Sequence, residues 1–290
     1  MNKTGIVTDS HSGIGREEAE RLGIYVLPMP YFFGEECFTE GVDISREEFF
    51  ERLKKGEKVS TAQASLKDLM DIWDAALKEH EDILYIPISS GLSGACSTAM
   101  ALAREEKYAG RVHVVDNGRV ATPLHRSVLD AVELLGEGCG AREVKDRLEK
   151  GKDNMVIYIG VPSFERLKAS GRVKPAVAFV GGLLDVKPIL VFSTGLLDSF
   201  KNCRGLARMK KELILAMKND IQNRFSEWLQ RGELYLMAAS SESSQAAKDA
   251  WVAEIQRAFP DLEVMYDDLT LGVACHLGEG ALGIACACKP

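Results

Sequence analysis

The sequence contains no run of about 18 uncharged apolar residues, the length a membrane-spanning helix requires, so no such helix is expected. Its opening stretch, Met1 to Asp9, holds too short an apolar segment for a signal peptide and runs at once into a charged turn. A cytoplasmic location is therefore expected. Basic charge is not in excess either. Against 36 Lys and Arg stand 43 Asp and Glu, and the formal net charge of −7 argues against a broad electrostatic hold on nucleic acid. The 7 cysteines are odd in number, and no two have the C-x-x-C spacing of a zinc knuckle or a thioredoxin-type motif. They are expected to be reduced, with no metal bound. Cys286 and Cys288 alternate with alanines, as buried neighbours on one face of a strand would. Nucleotide-binding motifs are missing as well. Gly13-Ile14-Gly15 starts like a dinucleotide fingerprint, but Glu18 stands where its third glycine belongs, and no Walker A sequence occurs.

What is present is an ordinary globular balance, 46% apolar and 27% charged, over 290 residues, a length that suggests two domains. Up to about residue 152, short β-branched runs alternate with helical patterns. Strands are expected at Gly5–Asp9, Ile24–Leu27, Ile83–Ile88 and Val112–Asp116, with helices at Arg16–Leu22, Arg46–Lys55, Leu66–Lys78 and about Gly94–Glu106. Ser45 with Glu48 has capping-box spacing, and Ser65 is the expected N-cap of the third helix. Strands buried on both faces and separated by helices point to a parallel sheet flanked by helices. Beyond that point the rhythm changes. Val186–Phe192 and Leu196–Phe200 flank Ser193-Thr194-Gly195, a hairpin signal. Met155–Ile159, Glu233–Ala239, Leu262–Tyr266 and Ala281–Ala287 read as further strands, with a long amphipathic helix from Leu206 to Met217 or onward to Leu229. The fold class expected is α/β with two closely packed domains. Residues 1–152 form a parallel domain, and residues 153–290 form a second with a mixed or antiparallel sheet and helices.

The segment with most chemistry is Ser89-Ser90-Gly91-Leu92-Ser93-Gly94, between an expected strand and helix. Ligands of parallel α/β sheets collect outside the carboxyl ends of the strands, and a helix start there offers unpaired N–H groups to an anion. A cap and a tight turn explain one serine and one glycine; three serines and two glycines exceed that need. Thr61, ahead of the Ser65 cap, supplies another hydroxyl not used in capping, and Asp9-Ser10 ends the first strand at an equally ligand-prone position. His276 sits among glycines before the last strand, in a turn or at a site. One enzyme reading stays open. Gly91-Leu92-Ser93-Gly94-Ala95 falls one glycine short of a nucleophile elbow, and Asp267 or Asp268 followed by His276 gives the order Ser, Asp, His of a serine hydrolase.

Taken together, Asp9-Ser10, Thr61-Ala62-Gln63-Ala64-Ser65, Ser89-Ser90-Gly91-Leu92-Ser93-Gly94, Ser170-Gly171-Arg172, Lys201-Asn202-Cys203-Arg204-Gly205 and His276 resemble the DegV family of bacterial fatty-acid-binding proteins over nearly the whole chain. The S-S-x-L-S-G and K-x-x-R-G segments are the specific ones. The resemblance implies two α/β domains with a long-chain fatty acid, such as palmitate, lodged between them, and no catalysis by the chain itself. It places the carboxylate on Thr61 and Ser93, His276 and Arg172 in the polar network around it, and Arg204 toward a partner. That partner, in related proteins, is a separate ATP-dependent fatty acid kinase. No cofactor is implied. The chain departs from the family pattern at Ala62, Ala64 and Ala95, but keeps Thr61 and Ser93.

Overall fold

The computed structural model describes residues 3–174 and 185–290. Seven strands precede residue 115: β1 (Thr4–Asp9), β2 (Tyr25–Leu27), β3 (Pro30–Phe33), β4 (Glu36–Thr39), β5 (Val59–Thr61), β6 (Asp82–Ile86) and β7 (Val112–Val114). Four of them form an all-parallel sheet in the order β2-β1-β6-β7. Its strands are buried on both faces, which is why they read as unbroken apolar runs. Val7, Ile83 and Tyr85 pack under the Leu66–Glu79 and Ala95–Leu102 helices, while Ile6, Leu84 and Ile86 point to the other side. The caps are those expected: Ser45 Oγ accepts from Glu48 N, and Ser65 Oγ accepts from Asp68 N, both at 3.1 Å. The expected helix from Gly94 to Glu106 stops at Leu102.

Among the described residues, six more strands follow residue 154: β8 (Met155–Gly160), β9 (Val186–Phe192), β10 (Asp198–Arg204), β11 (Leu234–Ser240), β12 (Val264–Asp268) and β13 (Leu282–Cys288). They form one sheet in the order β10-β9-β8-β13-β11-β12. All its neighbours are antiparallel except β11 and β12, which are parallel and joined through the Gln245–Ala258 helix. The β9–β10 hairpin bears out its turn signal. The long amphipathic pattern after Gly205 is two helices, Leu206–Asn223 and Ser226–Arg231. One face of this mixed sheet is sealed by the Leu206–Asn223 and Gln245–Ala258 helices. Val156, Tyr158, Leu236, Ile284 and Cys286 meet Met209, Leu213 and Trp251 there. Cys286 and Cys288 lie buried on that same face as free thiols, as the alternation with alanine anticipates.

The opposite face turns toward the parallel sheet. A continuous apolar core runs from Ile6 and Ile86 through Leu124 and Val128 of the Thr122–Gly136 helix to Ile159, Phe192, Met237 and Ala285. The third sheet, antiparallel β4-β3-β5, has no counterpart in the sequence reading. Tyr31, Phe33, Phe38 and Phe49 clamp it by edge and stacked contacts. Its β5 ends on Thr61, in register with Tyr31, and so fixes the position of that hydroxyl.

Candidate functional site

A cavity of about 260 Å³ lies where the loops after β5 and β6 meet the near face of the mixed sheet. Its floor is set by strand register. Gly283 pairs with Ala239 on one side and Ile159 on the other, and Ala285 pairs with Met237 and Ile157. Side chains alternate across a strand, so Gly283, Ala285, Ala239, Met237, Ile157 and Ile159 share the face that looks into the cavity. The Leu282, Ile284 and Cys286 side chains pack in the helix-covered cluster, although Ile284 also borders the cavity. Phe192, Leu167 and Leu277 complete an apolar wall. Polar side chains are few in this lining; Thr61, Ser93, Arg172, His276, His11 and the Gln63 amide are able to meet an anion, while the Thr122 hydroxyl is given to Ala238 O.

The two hydroxyls sit on separate loops and share this lining. Ser93 Oγ accepts from Ala95 N at 3.2 Å at the start of the Ala95–Leu102 helix, so its own hydrogen is free to point elsewhere. Thr61 Oγ1 lies 3.0 Å from His276 Nε2. Burial, followed by the nearby positive charges of Arg172 and His11, pushes the His276 imidazole down to about 4, which leaves it neutral at physiological pH. In the tautomer protonated on Nε2, His276 donates to Thr61 and leaves the threonine hydrogen available to an incoming acceptor. Arg172 is oriented by its own neighbourhood, donating from its guanidinium to Ser170 O while its backbone N–H reaches Ser170 Oγ. Its backbone carbonyl takes the N–H of Leu197, another lining residue. The cavity thus combines a wall suited to an acyl chain with hydroxyl donors and a guanidinium suited to a carboxylate.

Close approach of backbone shapes the rim. A Cβ on Gly91 would stand 2.3 Å from the Cα of Gly195, so the Ser-rich loop and the β9–β10 turn touch main chain to main chain. Leu92 and Leu197, beside these glycines, line the cavity.

The remaining residues singled out by sequence lie elsewhere. Asp9 is fully buried and holds Ile88 N at 2.8 Å and the His11 N–H at 3.0 Å. Ser10 Oγ donates to Glu40 and accepts from Met29 N. Both tie elements together rather than line the cavity. Arg204 is exposed on β10, the edge of the mixed sheet. His276, for which the sequence left open a glycine-bearing turn or a site, lies in the Leu271–Leu277 helix and lines the cavity. No motif pointed to His11; its signal was adjacency to Asp9-Ser10 at the carboxyl end of the first strand.

The family model "Uncharacterised protein, DegV family" matches residues 3–289. The chain belongs to the DegV family. A DegV domain-containing protein of Deinococcus radiodurans is 29% identical over 283 residues, 97% of this chain and 96% of that one. Among solved structures, a DegV family protein from Thermus thermophilus, named for fatty acid binding, superposes with a TM-score of 0.86 at 26% identity over 99% of both chains. DegV of Bacillus subtilis, named as a fatty acid binding protein, gives 0.83 at 26% identity over the full length of both.

Within this DegV protein the constellation of a serine hydrolase is not assembled. Asp267 is committed to His125, 3.1 Å from its Nδ1, and Asp268 to Lys248 at 2.6 Å and to the Tyr266 hydroxyl. His276 faces Thr61 rather than a carboxylate that could orient it as a base. Among the described residues, no group of three or more His, Cys, Asp or Glu is placed to hold a metal ion, and no helix is long and apolar enough to cross a membrane.

Proposed function

We propose that this protein binds one long-chain fatty acid, such as palmitate, with the carboxylate on Thr61 and Ser93 and the tail along the open face of the mixed sheet, and that it makes no bonds itself. The observation that carries this proposal is a single cavity whose lining joins Thr61, Ser93, Arg172 and His276 to an apolar floor. The fatty acid binding named for the Thermus and Bacillus structures supports it. A sixteen-carbon chain buries about fourteen methylenes at about 0.8 kcal/mol each, about 11 kcal/mol of gross drive. One hydroxyl bond to a charged group contributes about 1.5–3 kcal/mol. The tail therefore sets affinity, while the hydroxyls set orientation and reject neutral lipids. Ser93 needs no activating base for that task, unlike a nucleophile.

In this arrangement residues 1–152 and 153–290 act as two domains with the lipid between them, in the cytoplasm and without a cofactor. Arg172 and His276 complete the head-group network. The partner implied by the family resemblance is a separate ATP-dependent fatty acid kinase, and the exposed Arg204 is its proposed contact.

Organic extraction of the purified protein followed by mass spectrometry tests the proposal directly. About one long-chain fatty acid per chain is expected from the wild type. Thr61→Ala combined with Ser93→Ala is expected to weaken binding by about a hundredfold without unfolding the chain. Undiminished retention by the double variant counts against the carboxylate assignment.

A further inference from the structure

His11 stands in the short turn Ser10–Ser12 after β1, 6% exposed, with its ring in the cavity wall. The ring is fixed from behind. Asp9 Oδ1 accepts the His11 backbone N–H and lies 3.1 Å from Nδ1, so Nδ1 carries a hydrogen, while Oδ2 is anchored by Ile88 N just after β6. Nε2, on the opposite edge, lies against Gly272, where a Cβ would stand 3.2 Å away; Gly272 also lines the cavity. Among the described residues, no hydrogen bond to Nε2 is present. A buried ring whose Nδ1–H is held by Asp9 and whose Nε2 is open, in the same cavity wall as Arg172 and Thr61, is placed to meet a ligand, and it donates there once Nε2 is protonated as well.

We propose that His11, held by Asp9, is a further head-group residue whose Nε2–H donates to the carboxylate of the bound fatty acid. This deepens the fatty acid proposal and rests on it. The ionisable groups facing His11 are Asp9 from β1, Glu40 just after β4, Arg172 after the Glu165–Ser170 helix, and His276 from the Leu271–Leu277 helix. His125, on the helix packed against the same turn, points instead to Asp267 and Glu18. Burial works against charge on His11, but attraction and hydrogen bonding from Asp9, helped by Glu40, outweigh both it and Arg172, holding protonation above the ordinary histidine range. The two histidines in the wall are thus shifted in opposite directions, His276 down to about 4 and His11 upward.

Two near-isosteres separate this role from packing. His11→Asn places an amide nitrogen where Nδ1 stands, keeps the Asp9 bond and presents nothing at Nε2. His11→Gln places a non-titrating amide near Nε2. Affinities of the delipidated full chain for palmitate and for 1-hexadecanol, which lacks the carboxylate, are compared between about pH 6 and about pH 8. His11→Asn is expected to weaken palmitate binding about tenfold or more and to leave hexadecanol binding within about twofold. The ratio of wild-type to His11→Gln affinity for palmitate is expected to rise as pH falls, as the histidine gains its proton. Equal losses for both ligands in His11→Asn, or a ratio that does not change with pH, overturn the role of His11 while leaving the fatty acid proposal standing. A wild type that binds neither ligand overturns both.

Discussion

Alternate residues along β13 face two different environments. Leu282, Ile284 and Cys286 are sealed beneath two helices by Met209, Leu213 and Trp251, whose indole N–H also donates to Gly283 O at 3.1 Å. Gly283 and Ala285 face the other way, into the cavity. Backbone pairing is the same for both sets, so side-chain volume alone separates a filled core from a binding site. The covered face around Leu282, Ile284 and Cys286 packs against apolar side chains, with polar contacts such as Tyr158 to Asp220 and Lys248 to Asp268 toward its edges. The open face is flanked by polar seams that reach across to the first half of the chain: Tyr235 donates to Asp130 at 2.9 Å, fully buried Arg119 reaches Cys288 O, and Asp267 meets His125. Capacity for a ligand is thus encoded in what three adjacent strands leave out, while the seams hold the surrounding walls apart.

Single substitutions on either side of one strand break this contrast most sharply. Ala285→Phe on the open face is expected to fill the floor. Blocking even six methylenes removes about 5 kcal/mol, more than a thousandfold in affinity, so lipid recovered by extraction should fall close to zero while the chain stays folded. Ile284→Ala, one residue earlier and facing the helices, is expected to cost about 2–5 kcal/mol of stability in chemical denaturation yet leave lipid per folded molecule unchanged. Swapped outcomes, with lipid lost from Ile284→Ala and stability alone lost from Ala285→Phe, would place the ligand on the wrong side of the sheet.

A smaller effect belongs to the rim. Gly91→Ala introduces a methyl that cannot coexist with the Gly195 backbone at 2.3 Å, so the β9–β10 turn must shift away from Leu92 and Leu197. Lipid release, followed by transfer to acceptor vesicles, is expected to accelerate about tenfold, the equivalent of about 1.4 kcal/mol of lost closure. An unchanged release rate means that this contact does not bear on ligand exit.

Much of this organisation was legible in the chain. The parallel strands announced themselves as apolar runs, the caps at Ser45 and Ser65 by their spacing, and the β9–β10 hairpin by Ser193-Thr194-Gly195. Thr61 and Ser93 were legible as hydroxyls beyond the needs of capping. The β4-β3-β5 sheet was not, because strands of three or four residues carry almost no periodicity and β3 opens on a proline. That Asp267, one of two candidate acids of the hydrolase alternative, is committed elsewhere was hidden for a different reason. Its partner, His125, is 142 positions away, and a partner at that distance leaves no local trace. The same limit hid His11, whose ring becomes informative only once Asp9 behind it and Gly272 in front of it are placed.

The seams supply the smallest of the expected effects. His125 is 4% exposed, with Asp267 3.1 Å from Nδ1 and Glu18 3.4 Å from Nε2, and it joins the Arg16–Leu22 helix to β12 across the edge of the open face. Burial is the largest influence and opposes its charge, but the two carboxylates outweigh it and raise the histidine above its ordinary value. A group whose protonation is favoured in the folded state stabilises that state fully below its unfolded value of about 6.5, and the contribution disappears as pH rises through the folded value. Wild-type protein should therefore exceed His125→Gln in denaturation midpoint by more near pH 6 than near pH 9. Titration of His11 is common to both proteins and drops out of the difference. Ile284 packs in the helix-covered cluster among apolar side chains such as Leu213 and Trp251, so Ile284→Ala should lower the midpoint by the same amount at both pH values. A His125→Gln difference that widens with rising pH would mean that the seam is held by neutral hydrogen bonds, and that the two faces differ in volume alone.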